Sequence, residues 1–149
     1  MDRVASYTAM RKFSTGRDRN NVPRLMLNDR PLFQFGPLDQ GWWPDGLYTA
    51  PSDEALRYDV VKTKELGYNM IRKHVKVEPA RWYYHCDREG IIVWQDMPSG
   101  DITPGNPQWQ MTRYFTGAER QRTPDSQACY RNEWRAIRDC LRPFGAHGR

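Results

Sequence analysis

Three short clusters in this 149-residue chain carry side chains able to do chemistry: Asp39-Gln40 followed by Trp42-Trp43, then Arg72-Lys73-His74, then Gln95-Asp96. Carboxylate, guanidinium, imidazole and amide groups supply fixed donors and acceptors, and indole faces stack on C–H surfaces. That combination suits a sugar, whose hydroxyls need directional partners and whose ring presents an apolar face. Nucleotide binding has no such support, because neither G-x-G-x-x-G nor a P-loop motif occurs. Bond cleavage in a sugar commonly needs two carboxyl groups, about 5–5.5 Å apart when configuration is retained. Only Asp39 and Asp96 stand at the ends of expected strands, while Glu54, Glu65, Glu78, Glu89 and Glu133 fall in or at the start of helices and Glu119 in a long loop. Nothing in the pattern makes either aspartate an acid or a nucleophile, so no catalytic residue is assigned.

Packing explains some of these residues as well as function does. Trp82 and Trp134 stand at helical spacing and read as core, and Trp94 lies inside an apolar run and reads as core before sugar platform. Arg72 has Asp96 or Asp39 as a structural ion-pair partner, and His74 reads first as a hydrogen-bonded structural histidine. Trp42 and Trp43 sit among Gly41, Pro44 and Gly46 in a loop, where pattern offers no packing role, so they read as functional.

The elements that must position these groups follow from periodicity. Residues 2–24 are polar and basic, with Ser14 to Asn21 reading as an exposed turn. Arg24-Leu25-Met26-Leu27 and Leu32-Phe33-Gln34-Phe35 flank Asn28-Asp29-Arg30-Pro31 as a hairpin or strand pair. Ser52-Asp53-Glu54 opens a helix with a Leu56, Val60, Val61 stripe and a stop at Gly67. Tyr68–Val75 reads as a strand, Pro79 as the first position of a helix lined by Trp82, Tyr83 and Cys86, and Ile91–Trp94 as a strand covered on both faces. Four prolines and three glycines from Pro98 to Ser126 mark a long loop, and Tyr130, Trp134, Ile137 and Leu141 mark a last helix. Alternation of this kind builds a parallel sheet through right-handed crossovers, whose ligands meet the carboxyl ends of the strands. The pattern alone does not choose between a barrel and a doubly wound sheet.

Composition narrows the function classes. The net charge is +5, but the excess lies at the two ends, while residues 25–112 hold nine basic and twelve acidic side chains. A mildly acidic middle is poor material for a phosphate-tracking groove, so nucleic acid is not an expected partner. Mean hydropathy is −0.90, no apolar run approaches a membrane span, and the start has no apolar signal segment, so no membrane association or compartment can be read. Cys86, Cys129 and Cys140 form no C-x-x-C pair, and His74, His85 and His147 have no partner at ligand spacing, so no metal or other cofactor is expected.

Asn69-Met70-Ile71-Arg72, then Trp82-Tyr83, Asp87, Gly90 and Ile91-Ile92-Val93-Trp94, resemble the first signature of glycoside hydrolase family 2, the β-galactosidases, β-glucuronidases and β-mannosidases. Leu27-Asn28-Asp29-Arg30-Pro31-Leu32 also resembles the hairpin that opens that family's barrel, and the likeness runs over about residues 4–141. The resemblance implies an α/β fold: a partial (β/α)8 TIM barrel holding the first three strand–helix units, preceded by a strand left from an immunoglobulin-like β-sandwich. Residues 1–24 would be the end of the sandwich and a linker, and residues 25–149 the amino-terminal portion of the barrel, stopping before the fourth strand. A retaining hydrolase of β-linked sugars is implied, with both catalytic glutamates on later strands. Its sugar pocket would be lined here by Asp39, Gln40, Trp42, Trp43, Arg72, His74 and Asp96. The family's "SHYP" is replaced by Lys73-His74-Val75-Lys76, so the family histidine's role does not transfer to His74. The ending Arg142 to Arg149 departs from the family's "NHPS" and has the look of a truncation or frameshift. Alone, such a piece is expected to be inactive and to seek a complementing fragment or self-associate through its open edge. The alternative is a non-catalytic carbohydrate-binding module built on the Trp42-Trp43 loop.

Overall fold

Asp18 folds the first hairpin. Its carboxylate accepts the backbone N–H of Asn20 at 2.8 Å and of Val22 at 3.0 Å, and the Arg24 Nε at 2.9 Å. That confines the turn to the residues after Arg17 and leaves Ser14 to Arg17 free to pair, contrary to the expected turn over Ser14–Asn21. β1 (Phe13–Arg17) runs antiparallel to β2 (Pro23–Leu27), from Phe13 opposite Leu27 to Arg17 opposite Pro23. The computed structural model describes residues 3, 5, 7, 8, 10–98 and 124–142. The domain boundary drawn at Arg24 thus falls inside β2. Asn28 and Asp29 then take φ of 51° and 63°, the two left-handed positions of a type I′ turn, and lead into β3 (Arg30–Pro31).

The second arm of this hairpin is shorter than the expected Leu32–Phe35. Leu32 still donates to Leu25 O, but Asn69 captures the residues beyond: its Oδ1 accepts from Phe35 N at 2.8 Å and its Nδ2 donates to Phe33 O at 2.9 Å. Gly36 follows with its Cα against the Met70 carbonyl, where any Cβ would collide. The chain enters the parallel sheet only afterwards, as β4 (Leu38–Asp39).

That sheet has the order β4, β5 (Met70–Lys73), β6 (Ile92–Gln95), all parallel. The crossovers are α1 (Asp53–Glu65) and α2 (Ala80–Glu89). α1 starts where Ser52 Oγ accepts from Ala55 N and an acidic first turn meets the positive end of the helix dipole. Leu56, Val60 and Thr63 form its buried stripe. Pro79 caps α2 rather than occupying its first turn, and Gly90, in the left-handed region, ends it. Trp82, Tyr83 and Cys86 from α2 join Leu56, Val60, Ile71 and Ile91 in one core cluster. Each large apolar side chain so buried contributes about 1.5–3 kcal/mol.

Both helices cover one face of the sheet. Ile71 and Lys73 point into that layer, each 1% exposed, whereas Arg72, Leu38 and Trp94 stand side by side in register on the uncovered face. Trp94 is therefore not the core residue expected of a doubly covered strand. α3 (Pro124–Leu141) meets the core through Leu141, and its Tyr130 and Trp134 remain exposed, so the expected apolar stripe is largely unburied. No helix among the described residues is long and apolar enough to cross a membrane, and none of their His, Cys, Asp and Glu side chains cluster in a metal-holding group. The long loop expected after Pro98 lies mostly outside the described residues.

Candidate functional site

The carboxyl ends of β4, β5 and β6 gather two sets of polar side chains, one on each face of the sheet. On the uncovered face, Arg72 and Asp96 form a two-pronged pair, Nε to Oδ1 and Nη2 to Oδ2, both 3.0 Å. Arg72 hydrogen-bonding holds the Asp96 carboxyl below the usual carboxylate range, and the nearby His74 adds to the effect. Beside them His74 Nδ1 lies 3.3 Å from Gln40 Nε2. Trp94 donates its indole N–H to Gln34 and keeps roughly half its surface open. Arg72, His74, Gln40 and Asp96 thus converge on one rim, with Trp94 beside Arg72 in register on the same face.

Asp39 does not join that rim. In register with Lys73 and Gln95, it belongs to the helix-covered face, where its carboxylate meets Lys73 Nζ at 2.5 Å and accepts from Gly41 N at 2.7 Å. Strand alternation explains the split: the residue after Leu38 and the residue after Arg72 share a face, and each is opposite to its neighbour.

The covered face holds a set whose assembly the pattern reading missed, though it named Asp39, Lys73 and Gln95 among the strand-end clusters. Lys73 Nζ sits between Asp39 and Glu78, at 2.9 Å from the latter, and over the Trp82 ring at 4.3 Å. Lys76 pairs with the same Glu78 oxygen at 3.0 Å and donates to Gly41 O at 2.6 Å. Gln95 accepts from Tyr83 OH at 2.6 Å and donates to Lys76 O at 2.8 Å, which ties β6 to the segment after β5. Burial pushes the Tyr83 hydroxyl upward, so it stays a neutral donor. Val75 makes the turn possible at φ 50°, a strained setting for a β-branched residue and one worth about 1–3 kcal/mol. The run Lys73, Lys76, Glu78 after a strand was a visible signal: alternate charges there are either solvated or paired beneath a loop.

The aromatic loop follows directly. Gly41 has φ 66°, and a Cβ on it would crowd Glu78 Oε1 and Lys76 Nζ, so a glycine is required. Trp43 and Leu47 exchange backbone bonds of 2.8 and 2.9 Å and close the loop into a small antiparallel bridge. Trp42 is exposed and lies edge-on to Tyr48, 5.1 Å between ring centres. Trp43 is half-buried, with an indole N–H that has no acceptor among the described residues. A separate apolar cavity of about 150 Å³, lined by Phe13, Cys86, Ile91, Val93 and Leu141 among others, lies on the covered side and away from the rim.

No protein-family profile and no curated protein matches this chain. Among solved structures, Bacteroides uniformis β-glucuronidase 3 is similar over 93% of this chain and 15% of its own, with TM-score 0.67 and 18% identity. A second B. uniformis β-glucuronidase matches over 68% of this chain and 11% of its own, with TM-score 0.55 and 28% identity. B. uniformis β-glucuronidase 2, covalently bound to cyclophellitol-6-carboxylate aziridine, matches over 93% and 19%, with TM-score 0.57 and 20% identity. The chain therefore has the fold of a segment of these bacterial glycosidases and spans less than a fifth of the length of each.

Proposed function

We propose that this chain is the amino-terminal part of the catalytic barrel of a retaining family 2 β-glycoside hydrolase, contributing one wall of its sugar pocket. β4, β5 and β6 are then the first three barrel strands, and the junction with a preceding sandwich falls at the β1–β3 sheet rather than at Arg24. The observation that carries the reading is the rim of Arg72, His74, Gln40 and Asp96 beside the half-exposed Trp94, at the carboxyl ends of a parallel sheet.

The chemistry of that rim is recognition. Two of Arg72's five N–H groups go to Asp96, and the exposed remainder can donate to sugar hydroxyls. Asp96, held ionised by Arg72, accepts from hydroxyls and is a poor proton donor, because a general acid needs its pKa raised. His74, Gln40 and the Trp94 indole complete the donor set and stacking surface. Both catalytic glutamates of such an enzyme stand on later strands, so this chain binds without cleaving. The exposed apolar side chains Phe33, Phe35, Leu38 and Trp94 lie where further barrel or a second copy would cover them.

Ligand-observed NMR with phenyl β-D-glucuronide and phenyl β-D-galactoside tests the reading. The expected result is saturable binding that Arg72→Ala weakens, with no release of phenol. Absence of binding, or turnover abolished by Asp96→Asn, contradicts it. The exposed Trp42 against Tyr48 supports a second reading, a non-catalytic carbohydrate-binding module, for which Trp42→Ala would abolish binding and Arg72→Ala leave it intact.

A further inference from the structure

Lys76 is a buried cation whose partners belong to the aromatic loop. Its side chain is 3% exposed, and an ammonium taken out of water needs its three N–H groups satisfied. Gly41 O accepts one at 2.6 Å, Glu78 Oε1 lies at 3.0 Å, and the Tyr48 ring centre lies at 4.6 Å. With those three directions filled, Lys76 has nothing left to offer a ligand. Two of the three contacts are instead to residues that bracket Trp42: Gly41 precedes it, and Tyr48 carries its indole edge. The Trp43–Leu47 bridge closes the stretch between them, so residues 41–48 form a closed unit hung at both ends on one ammonium.

Glu78 sets that ammonium in place. It receives Lys73 and Lys76 on a single oxygen, and Lys73 is fixed in turn by Asp39 and the Trp82 ring. Gly41 is also tied by its N–H to the Asp39 carboxylate, and just before it the chain reaches the opposite face, where Gln40 meets His74. A displacement of Lys76 therefore moves Trp42 relative to the Arg72–Asp96 rim.

We propose that Lys76 is a positioning residue that holds the Trp42–Tyr48 ledge at the strand ends, where the Trp42 indole stacks on the ring of a bound pyranoside. The stacking half of this statement rests on the sugar-site reading above. The positioning half does not.

The chain labelled with 5-fluorotryptophan separates the two, with Trp42→Phe identifying the Trp42 resonance. Lys76→Met is expected to shift or broaden that resonance while the buried Trp82 resonance keeps its place. Should Lys76→Met fail to fold, Lys76→Met with Glu78→Gln keeps the buried charges balanced and is read in the same way. A Trp42 resonance unmoved in the folded variant overturns the proposal. Titration with phenyl β-D-glucuronide supplies the second readout: Lys76→Met and Trp42→Ala each weaken binding about fivefold, the size of one aromatic contact, and the double variant is no weaker than either. Independent, multiplying losses overturn the proposal. A parent chain that binds no glycoside, with the Trp42 resonance still displaced by Lys76→Met, overturns the sugar reading and its stacking clause while upholding the positioning role.

Discussion

Replacing Lys73 by methionine is expected to remove a large share of the chain's stability. Lys73 is 1% exposed and lies 2.5 Å from Asp39 and 2.9 Å from Glu78, itself 3% exposed. Methionine keeps the apolar stem against Trp82 but leaves two carboxylates facing the single charge of Lys76. Removing one partner of a buried pair costs about 3–5 kcal/mol, because the other charge stays buried and uncompensated. Loss of the cation over the Trp82 ring adds to this, since such a contact reaches about 2 kcal/mol when desolvated. Set against the roughly 5–15 kcal/mol of a typical domain, the variant should be marginal. Urea unfolding at pH 7, followed by tryptophan fluorescence, gives the cost from the shift in midpoint at constant slope. Adding Asp39→Asn should recover part of the loss, because Glu78 and Lys76 then remain as a balanced pair 3.0 Å apart. A cost below about 1 kcal/mol, the size of an exposed ion pair, refutes the claim that this set is buried and mutually dependent.

Gly41→Ala combines a left-handed φ with crowding by Glu78 and Lys76, and should cost about 1–3 kcal/mol, visible as a drop of several degrees in Tm. Asp96 has its folded pKa depressed by Arg72, so its contribution is present above the unfolded carboxylate range and is lost as pH falls through the lower folded value. Asp96→Asn should flatten the stability curve in that acid window and leave the neutral region's slope unchanged, which denaturant titrations at a series of pH values will report. Burial pushes the Cys86 thiol far up, while Cys129 and Cys140 are exposed. A disulfide reagent should therefore titrate two thiols quickly in the native chain and the third only on unfolding.

The crossovers were legible because their signals are local. Ser52 with its acidic first turn, the Leu56 and Val60 stripe, and Gly90 after Trp82, Tyr83 and Cys86 each specify an element through near neighbours. What escaped depends on contacts distant in sequence. Leu32–Phe35 has strand composition, yet Asn69 binds its backbone from 34 and 36 residues away and delays the sheet to Leu38. Trp94 sits in an apolar run, but whether a face is covered depends on what packs there, and among the described residues no helix covers this face, so Trp94 stays about half exposed. Of the candidate rim, Arg72, His74, Gln40 and Asp96 came together as alternation required. Asp39 was grouped with them by its place at a strand end, but alternation from Leu38 puts it on the other face, beside Lys73. In the sequence Lys73 stands only as a neighbour of Arg72, Lys76 only as a departure from the family motif and Glu78 only as a helix start, because the pairing that joins them depends on the loop that buries them.

A crystal structure of the chain soaked with phenyl β-D-glucuronide would show whether the strand ends hold the sugar. The sugar ring is expected at the carboxyl ends of β4, β5 and β6, with hydroxyls within hydrogen-bond distance of Arg72 and Asp96 and the ring near Trp94. Sugar density confined to the apolar cavity beside Cys86 and Leu141, or an empty rim at saturating glycoside, would contradict that placement.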